Sequence, residues 1–348
     1  MVKSTGNLEL RTCNRETATG IRSPETAIEI RSPETATGIR SPETATGIND
    51  LGEKPGCRTE LYKPALRVPA GRDLMNRKLI FLDVDGTFTA PGGYEPPESA
   101  VRAVKRAREQ GHKVFLCSGR NYGMLSPLHK YGFDGGIASC GGYVYAGDKV
   151  LYDCPLTEDQ QKKLITLMTD EGVFLSIEGK DNAYSDERAK QFLEQSDTRN
   201  YYLLSMIEAV WVGLGPKPMS EYDGCPLYKV VFTCSDVKQI GPAKEALGDE
   251  LQFIVHNFSE PDCYFGEIIN RKFDKGRAVR IVADALGFDM ADTIGFGDSN
   301  IDIEMIEAVG TSVCMENGSE FLKERSDLIC PPTFEDGIEW AFRKLGLI

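Results

Sequence analysis

The chain has 348 residues, 41% hydrophobic and 27% charged, enough to bury one large core or two medium ones. Its formal net charge of -13 argues against nucleic acid or an anionic membrane as partner, because both require Lys and Arg clustered over an extended face, whereas a small anion met by local cations is still compatible. No apolar run approaches the roughly 20 residues of a membrane span and no signal-peptide core opens the chain, so a cytoplasmic protein is expected.

Residues 1–74 differ in kind from the rest of the chain. The stretch "ETATGIRSP" recurs in steps of nine from Glu16, at Glu25, Glu34 and Glu43, with the second copy altered to "ETAIEIRSP" and the fourth keeping only "ETATGI". A period of nine suits neither helix nor strand, and Thr, Ser, Pro and Gly leave too little apolar surface to offset the entropy of ordering. The segment reads as a low-complexity, disordered or non-native extension, with Met75 as the natural start.

From Met75 onward the pattern is regular. "KLIFL" is a strand covered on both faces, as in a parallel sheet, and it runs into "DVDGT", which sets Asp83 and Asp85 one residue apart before Gly86 and Thr87. "PPESAVRAVKRAREQG" spaces Ala100, Ala103, Val104 and Ala107 as one helical face and stops at Gly111. "HKVFLCSGR" is a second buried strand, ending at Ser118, Gly119 and Arg120. Strand, helix and strand at this spacing form a right-handed crossover, whose ligands gather beyond the C-terminal strand ends.

Between Cys140 and about Tyr264 a second unit interrupts the pattern. It has a helix opened by a capping box from Thr157 to Gln160 and burying Leu164, Leu167 and Met168, and strands in "GYVYAGDKVLY", "YKVVFTC" and "LQFIVH". Tyr184, Tyr201 and Tyr202 fall in it without a signal that distinguishes ligand from packing. The core pattern then resumes. "KGRAVRIVADALG" places Ala278, Ile281, Val282 and Ala285 on one helical face, and "DTIGFGDSNIDIEM" is a strand running into Asp298 and Asp302, one helical turn apart. The expected fold is α/β: a Rossmann-like doubly wound parallel sheet from 75–142 and 266–348, with an inserted α/β cap domain over 143–265.

Acids at neighbouring strand ends need compensation, since two carboxylates about 4 Å apart repel by roughly 4 kcal/mol at an effective dielectric near 20. A divalent cation removes that cost, and an all-oxygen donor set with room for water and phosphate suits Mg2+. Zinc is not expected. The ten cysteines are spread singly with no CxxC pair, and several, such as Cys117 and Cys234, sit in apolar runs as small hydrophobes.

"DVDGT", "SGR", the Lys of "DKGRA" and "GDSNID", in this order and each beside a strand or helix end, resemble the haloacid dehalogenase superfamily. With the closing "GTSVCMENGSEFLKERSDLIC" they resemble its Cof-type, sugar-phosphatase-like branch, over residues 76–348. The resemblance implies a Mg2+-dependent phosphatase of small phosphorylated metabolites, sugar phosphates in particular, with no protein partner inferable. It implies Asp83 as the nucleophile that forms an aspartyl-phosphate, Asp85 as acid and base, and Lys275 as the cation that offsets the charge of the nucleophile and of the phosphoryl group. Metal ligation falls to Asp83, Asp298, Asp302 in support, and Asp85 through its backbone carbonyl. Phosphate binding falls to Ser118 and Gly119, with Thr87, Arg120 and Asn300 as further substrate contacts.

The sequence departs from the family pattern in having Ile301 where Asn is usual, with Asn300 one place earlier, and Cys140 where Asn often stands in a turn. The competing functions are a phosphosugar mutase or other phosphotransferase, in which a hydroxyl replaces water, and a weakly active sugar-phosphate binding protein.

Overall fold

The computed structural model describes residues 77–189, 215–256 and 263–348. The nine-residue repeat, the rest of the 1–74 extension, Met75, Tyr201 and Tyr202 lie outside the described residues. In chain order the strands are β1 (Leu79–Leu82), β2 (Lys113–Cys117), β3 (Gly135–Ala138), β4 (Tyr143–Ala146) and β5 (Lys149–Asp153). They continue as β6 (Phe174–Gly179), β7 (Ala183–Ser185), β8 (Lys217–Pro218), β9 (Leu227–Cys234), β10 (Leu251–His256) and β11 (Tyr264–Asn270). The last are β12 (Thr293–Gly297), β13 (Thr311–Met315) and β14 (Leu328–Cys330). Among the described residues they make an eight-stranded sheet, ordered β14-β13-β12-β1-β2-β3-β4-β5, and a six-stranded sheet, ordered β10-β11-β9-β6-β7-β8.

β1 lies inside the first sheet, parallel to β2 and β12, and its alternation explains why helices cover both faces. Ile80 and Leu82 join the cluster that holds Ala100, Ala103 and Val104 of the helix Glu98–Glu109 and Phe342 of the helix Gly337–Lys344. Leu79 and Phe81 join the opposite cluster, with Val279 and Val282 of the helix Lys275–Leu286 and with Met305. All four strand residues are fully buried, each contributing about 1.5–3 kcal/mol of apolar burial. The doubly wound α/β sheet expected from the sequence is what these residues form.

Two details differ from expectation. "GYVYAGDKVLY" does not belong to the insertion: β4 pairs antiparallel with β3, and β5 with β4, so both extend the first sheet. The cause is the reversal at Ser139 and Cys140, whose φ angles of 50° and 57° turn the chain back along β3 instead of out of the sheet. β11, in turn, runs to Asn270 within the second sheet, past the expected boundary at 265.

A further difference is the rotation of the helix Lys275–Leu286. Its fully buried residues are Lys275, Gly276, Ala278, Val279, Val282 and Ala283, with Ile281 partly buried against the same cluster and Ala285 half-buried. That face follows the i, i+3, i+4, i+7 pattern only when Lys275 counts as an inward residue, and a lysine at a helix start ordinarily reads as polar surface.

In the second sheet, Val230 and Phe232 of β9 and Ile177 of β6 pack with Leu164 and Met168 of the helix Glu158–Asp170, with Leu167 partly buried beside them. The capping box from Thr157 to Gln160 is formed, each side chain bonded to the other's backbone N–H. Tyr184 is buried in this same cluster. Among the described residues no helix is long and apolar enough to cross a membrane.

Candidate functional site

β1, β2 and β12 run parallel, so Asp83, Ser118 and Asp298 leave the sheet at one edge. The Asp83 amide still pairs with Phe296 O (2.9 Å), which fixes the first acid against β12. Asp302 follows in a short turn, Asn300–Asp302, that Ser299 caps. The Oδ2 of Asp302 accepts from the Asp298 amide (3.1 Å), the Ser299 amide (3.0 Å) and the Ser299 hydroxyl (3.2 Å). That capping box is why Asp298 and Asp302 share one side of the loop.

Lys275 enters from the first residue of its helix, whose start is fixed by Asp274 accepting from the Arg277 amide at 2.7 Å. Its Nζ donates to Asp83 Oδ1 (2.7 Å) and to Asp302 Oδ1 (2.5 Å). Thr87 Oγ1 donates to Asp298 Oδ1 (2.9 Å). Between them, Gly86 adopts φ 86°, and a Cβ there would overlap the Asp298 carboxylate. Asn317 Nδ2 (2.9 Å) and Thr333 Oγ1 (2.6 Å) both donate to the Gly86 carbonyl, tying this turn to distant loops.

Carboxylate oxygens of Asp83, Asp298 and Asp302 lie within 4.8 Å of one another. Burial and the neighbouring Asp302 push the Asp83 carboxyl well above its ordinary range, although Lys275 opposes them. Asp298 is pushed up to about 8 by burial and by Asp302, against the Thr87 hydrogen bond. Burial alone would lower the Lys275 ammonium, but Asp302 and Asp83 outweigh it and hold it well above its usual range. Three carboxylates thus face one ammonium, an excess that a divalent cation matches. The donor set is all oxygen, as Mg2+ requires. Asp302 already has both oxygens engaged, while Oδ2 of Asp83 and of Asp298 accept no hydrogen bond among the described residues.

The Asp85 carboxylate stands apart from this cluster. Its Oδ2 accepts from Arg120 Nε (2.8 Å), and its Oδ1 from Arg120 Nη2 (2.6 Å) and from the Gly92 amide (2.5 Å). Arg120 is 8% exposed, lies over the Tyr94 ring at 4.8 Å, and donates also to Gly93 O (2.9 Å). The arginine read as a substrate contact is therefore first a partner of Asp85, and Thr87 is first a partner of Asp298. Ser118 is buried beside them, its Oγ accepting from the Arg120 amide at 3.1 Å.

The structure does not bring Asn300 to the acids. It is exposed, and its Oδ1 accepts from the Ser319 hydroxyl at 2.7 Å. Residues that sequence reasoning missed are Asn317 and Thr333, whose role depends on contacts across more than 200 positions, and Lys229 of β9, whose Nζ donates to Gly119 O at 2.9 Å. For Lys229 a signal existed: a charge inside "LYKVVFTC" is out of place in a buried strand unless something meets it.

The family profile of haloacid dehalogenase-like hydrolases matches residues 80–342. YkrA of Bacillus subtilis, provisionally named a phosphatase, is 29% identical over 279 residues, covering 79% of this chain and all of its own. The 5-amino-6-(5-phospho-D-ribitylamino)uracil phosphatase YwtE of Bacillus subtilis is 25% identical over 284 residues, covering 77% of this chain and 98% of its own. Among solved structures, a hypothetical protein of Geobacillus kaustophilus superposes with a TM-score of 0.64 at 25% identity, over 78% of this chain and 100% of its own.

Proposed function

This chain belongs to the haloacid dehalogenase-like hydrolases as a phosphatase of small phosphorylated substrates, and we propose that it hydrolyses sugar or sugar-alcohol phosphates with Mg2+ through an aspartyl-phosphate on Asp83. The observation that carries the reading is the buried contact of Lys275 with Asp83 at 2.7 Å, which sets a cation on a carboxyl that burial and Asp302 push toward its protonated form. The preference for a sugar alcohol draws on YwtE, whose name describes a ribityl phosphate.

In the first step an Asp83 oxygen attacks phosphorus and the bond from phosphorus to the leaving oxygen breaks. Asp85, once protonated and turned from Arg120, gives its proton to that oxygen. In the second step Asp85, now the base, takes a proton from water as the water oxygen attacks phosphorus, and Asp83 leaves as the free carboxylate. Lys275 offsets charge on Asp83 and on the transferred group, and the Ser118 hydroxyl with the amides of its loop holds phosphate oxygens. Bound by Asp83, Asp298 and the Asp85 carbonyl, with Asp302 in support, Mg2+ would screen the acids from the incoming phosphate and stabilise developing charge. The residues of the second sheet, as a cap, would exclude water and select the leaving group.

The test is phosphate release over a panel of phosphate esters with and without Mg2+. Sugar phosphates should be the best substrates and chelation should stop turnover. Isomerised product without released phosphate, or saturable binding without turnover, would instead support the mutase or the binding protein.

A further inference from the structure

The second sheet carries charges in an unexpected place. Glu178 of β6 and Lys229 of β9 sit directly opposite each other in the antiparallel register, and Glu267 of β11 lies two strands from β6 on the far side of β9. Their sequence neighbours Ile177, Val230 and Ile268 point into the helix-covered cluster, so by the period of two these charges are on the other face. Exposures of 5%, 6% and 6% show that this face is covered as well.

What covers it includes the loop after β2. Lys229 Nζ donates to Gly119 O (2.9 Å) and contacts Glu178 Oε1 (3.3 Å) and Glu267 Oε1 (3.3 Å), which uses its three donors. A Cβ on Gly119 would stand 3.4 Å from Cys140 Sγ and 3.9 Å from Lys229 Nζ, ordinary contact distances that show how closely the two sheets approach here. Burial raises the Cys140 thiol to about 12, with Glu267 adding to it and with Lys229 and Lys275 opposing. One thiol therefore feels both the charges of the second sheet and the ammonium that grips Asp83, which sets those charges beside the reacting end of the molecule.

Glu178 is only half satisfied. Its Oε2 is buried and has no hydrogen-bond partner among the described residues. A buried charged acceptor left in this condition pays its full desolvation penalty, which is why native proteins seldom keep one without a use. Its charge is already met through Oε1 by Lys229, so what Oε2 lacks is a hydrogen-bond donor rather than another cation.

We propose that Glu178 is a substrate-binding residue whose Oε2 accepts a hydrogen bond from a hydroxyl of the leaving group, with Lys229 as its positioning residue, so that the site selects polyhydroxylated phosphate esters. The proposal rests on the phosphatase reading and gives its substrate class a residue. On the phosphatase reading the phosphate end binds beside Ser118, and Lys229 holds the carbonyl of the next residue, which places Glu178 next to that loop. Steps of bond making are unchanged; the residue acts on binding the part of the substrate that leaves.

The experiment compares kcat/KM for sorbitol 6-phosphate, hexyl phosphate, 6-aminohexyl phosphate and 4-nitrophenyl phosphate, in the natural protein, Glu178→Leu and Glu178→Gln. The natural protein should favour sorbitol 6-phosphate over hexyl phosphate by at least about tenfold, the worth of a hydrogen bond to a charged acceptor. Glu178→Leu should erase that preference while keeping 4-nitrophenyl phosphate within about threefold, and Glu178→Gln, which retains an acceptor, should recover part of it. Equal losses on all four esters would mean a structural role and overturn the proposal. So would a natural preference for the hexyl or aminohexyl ester, a result that needs no variant to fold. Failure of the phosphatase reading is distinct: the natural protein would then release no phosphate even from 4-nitrophenyl phosphate, and both would fall.

Discussion

Arg120 holds both oxygens of Asp85, at 2.8 Å and 2.6 Å, in the two-pronged geometry that a guanidinium offers and an ammonium does not. The acid and base of the proposed reaction is thereby held in one defined resting position, from which it turns to the leaving oxygen. Arg120→Lys keeps the charge but loses the fork. It is expected to lower kcat/KM roughly 10- to 100-fold for alkyl phosphates, which need their leaving oxygen protonated, and much less for 4-nitrophenyl phosphate. Uniform loss with all leaving groups would show that Arg120 acts elsewhere.

Asp83 and Asp85 should separate cleanly. Asp83→Asn is expected to abolish turnover and any phosphoryl or beryllofluoride adduct. Asp85→Asn should still form some adduct with nitrophenyl esters, whose leaving group needs little protonation. Mass spectrometry of the intact protein after rapid quenching reads both results, and identical behaviour of the two variants would refute the division of roles.

Removal of divalent metal by a chelator should stop turnover, and Mg2+ should restore it. Thr87→Val deletes the 2.9 Å hydrogen bond to Asp298 without touching the nucleophile. The Mg2+ concentration for half-maximal rate should then rise roughly 3- to 10-fold, from a hydrogen bond worth about 0.5–1.5 kcal/mol, with the rate at saturating Mg2+ nearly preserved. Calorimetric titration of Mg2+ checks the same shift without turnover.

Asn300→Ala is expected to change kcat/KM by less than about threefold, because its side chain is exposed and bonded to Ser319 away from the acids. On this geometry Asn300 would not stand in for the Asn usual in the family. Steady-state kinetics on one good substrate decides it, and a tenfold loss would show that the loop rearranges when substrate binds.

Asp134 offers a pH test far from the acids. Burial alone would raise its carboxyl, but hydrogen bonds from Arg108 (3.0 Å), Lys113 (2.8 Å) and the Val114 amide (3.0 Å) outweigh it and hold it below the ordinary range. A carboxyl so lowered stabilises the fold above its unfolded-state value, and the contribution fades as pH falls through the lower folded-state value. Asp134→Asn should cost about 1–2 kcal/mol near neutrality, discounted because Arg108 and Lys113 are partly exposed. The gap in melting temperature should close on acidification; a gap that widens in acid would reverse the assigned sign.

The order of elements and the acids at the strand ends were legible because β1 and β2 are continuous apolar runs and each ends in a motif. The capping box at Thr157 was legible because it is local. The partners of Gly86 were not, since nothing in "ENGS" or "PPTF" announces a contact with residue 86. The rotation of the helix Lys275–Leu286 was hidden for a different reason: Lys275, the residue that heads its buried face, carries a side chain that periodicity counts as polar. β4 and β5 read as part of the insertion because two consecutive non-glycine residues with positive φ, Ser139 and Cys140, leave no mark in composition.

Placing Lys275 at the head of an apolar stripe ties the two halves of the molecule to different evolutionary fates. In the first sheet the ammonium on Asp83 and the core residues Ala278, Val279 and Val282 share one helical face, so a substitution that repacks the core also shifts that ammonium. Drift there is constrained twice over. In the second sheet the packing residues Val230 and Ile177 and the charges Lys229 and Glu178 occupy opposite faces of the same strands. Such a layer separates its apolar packing from its buried ion pairs, so the two faces can be altered one at a time.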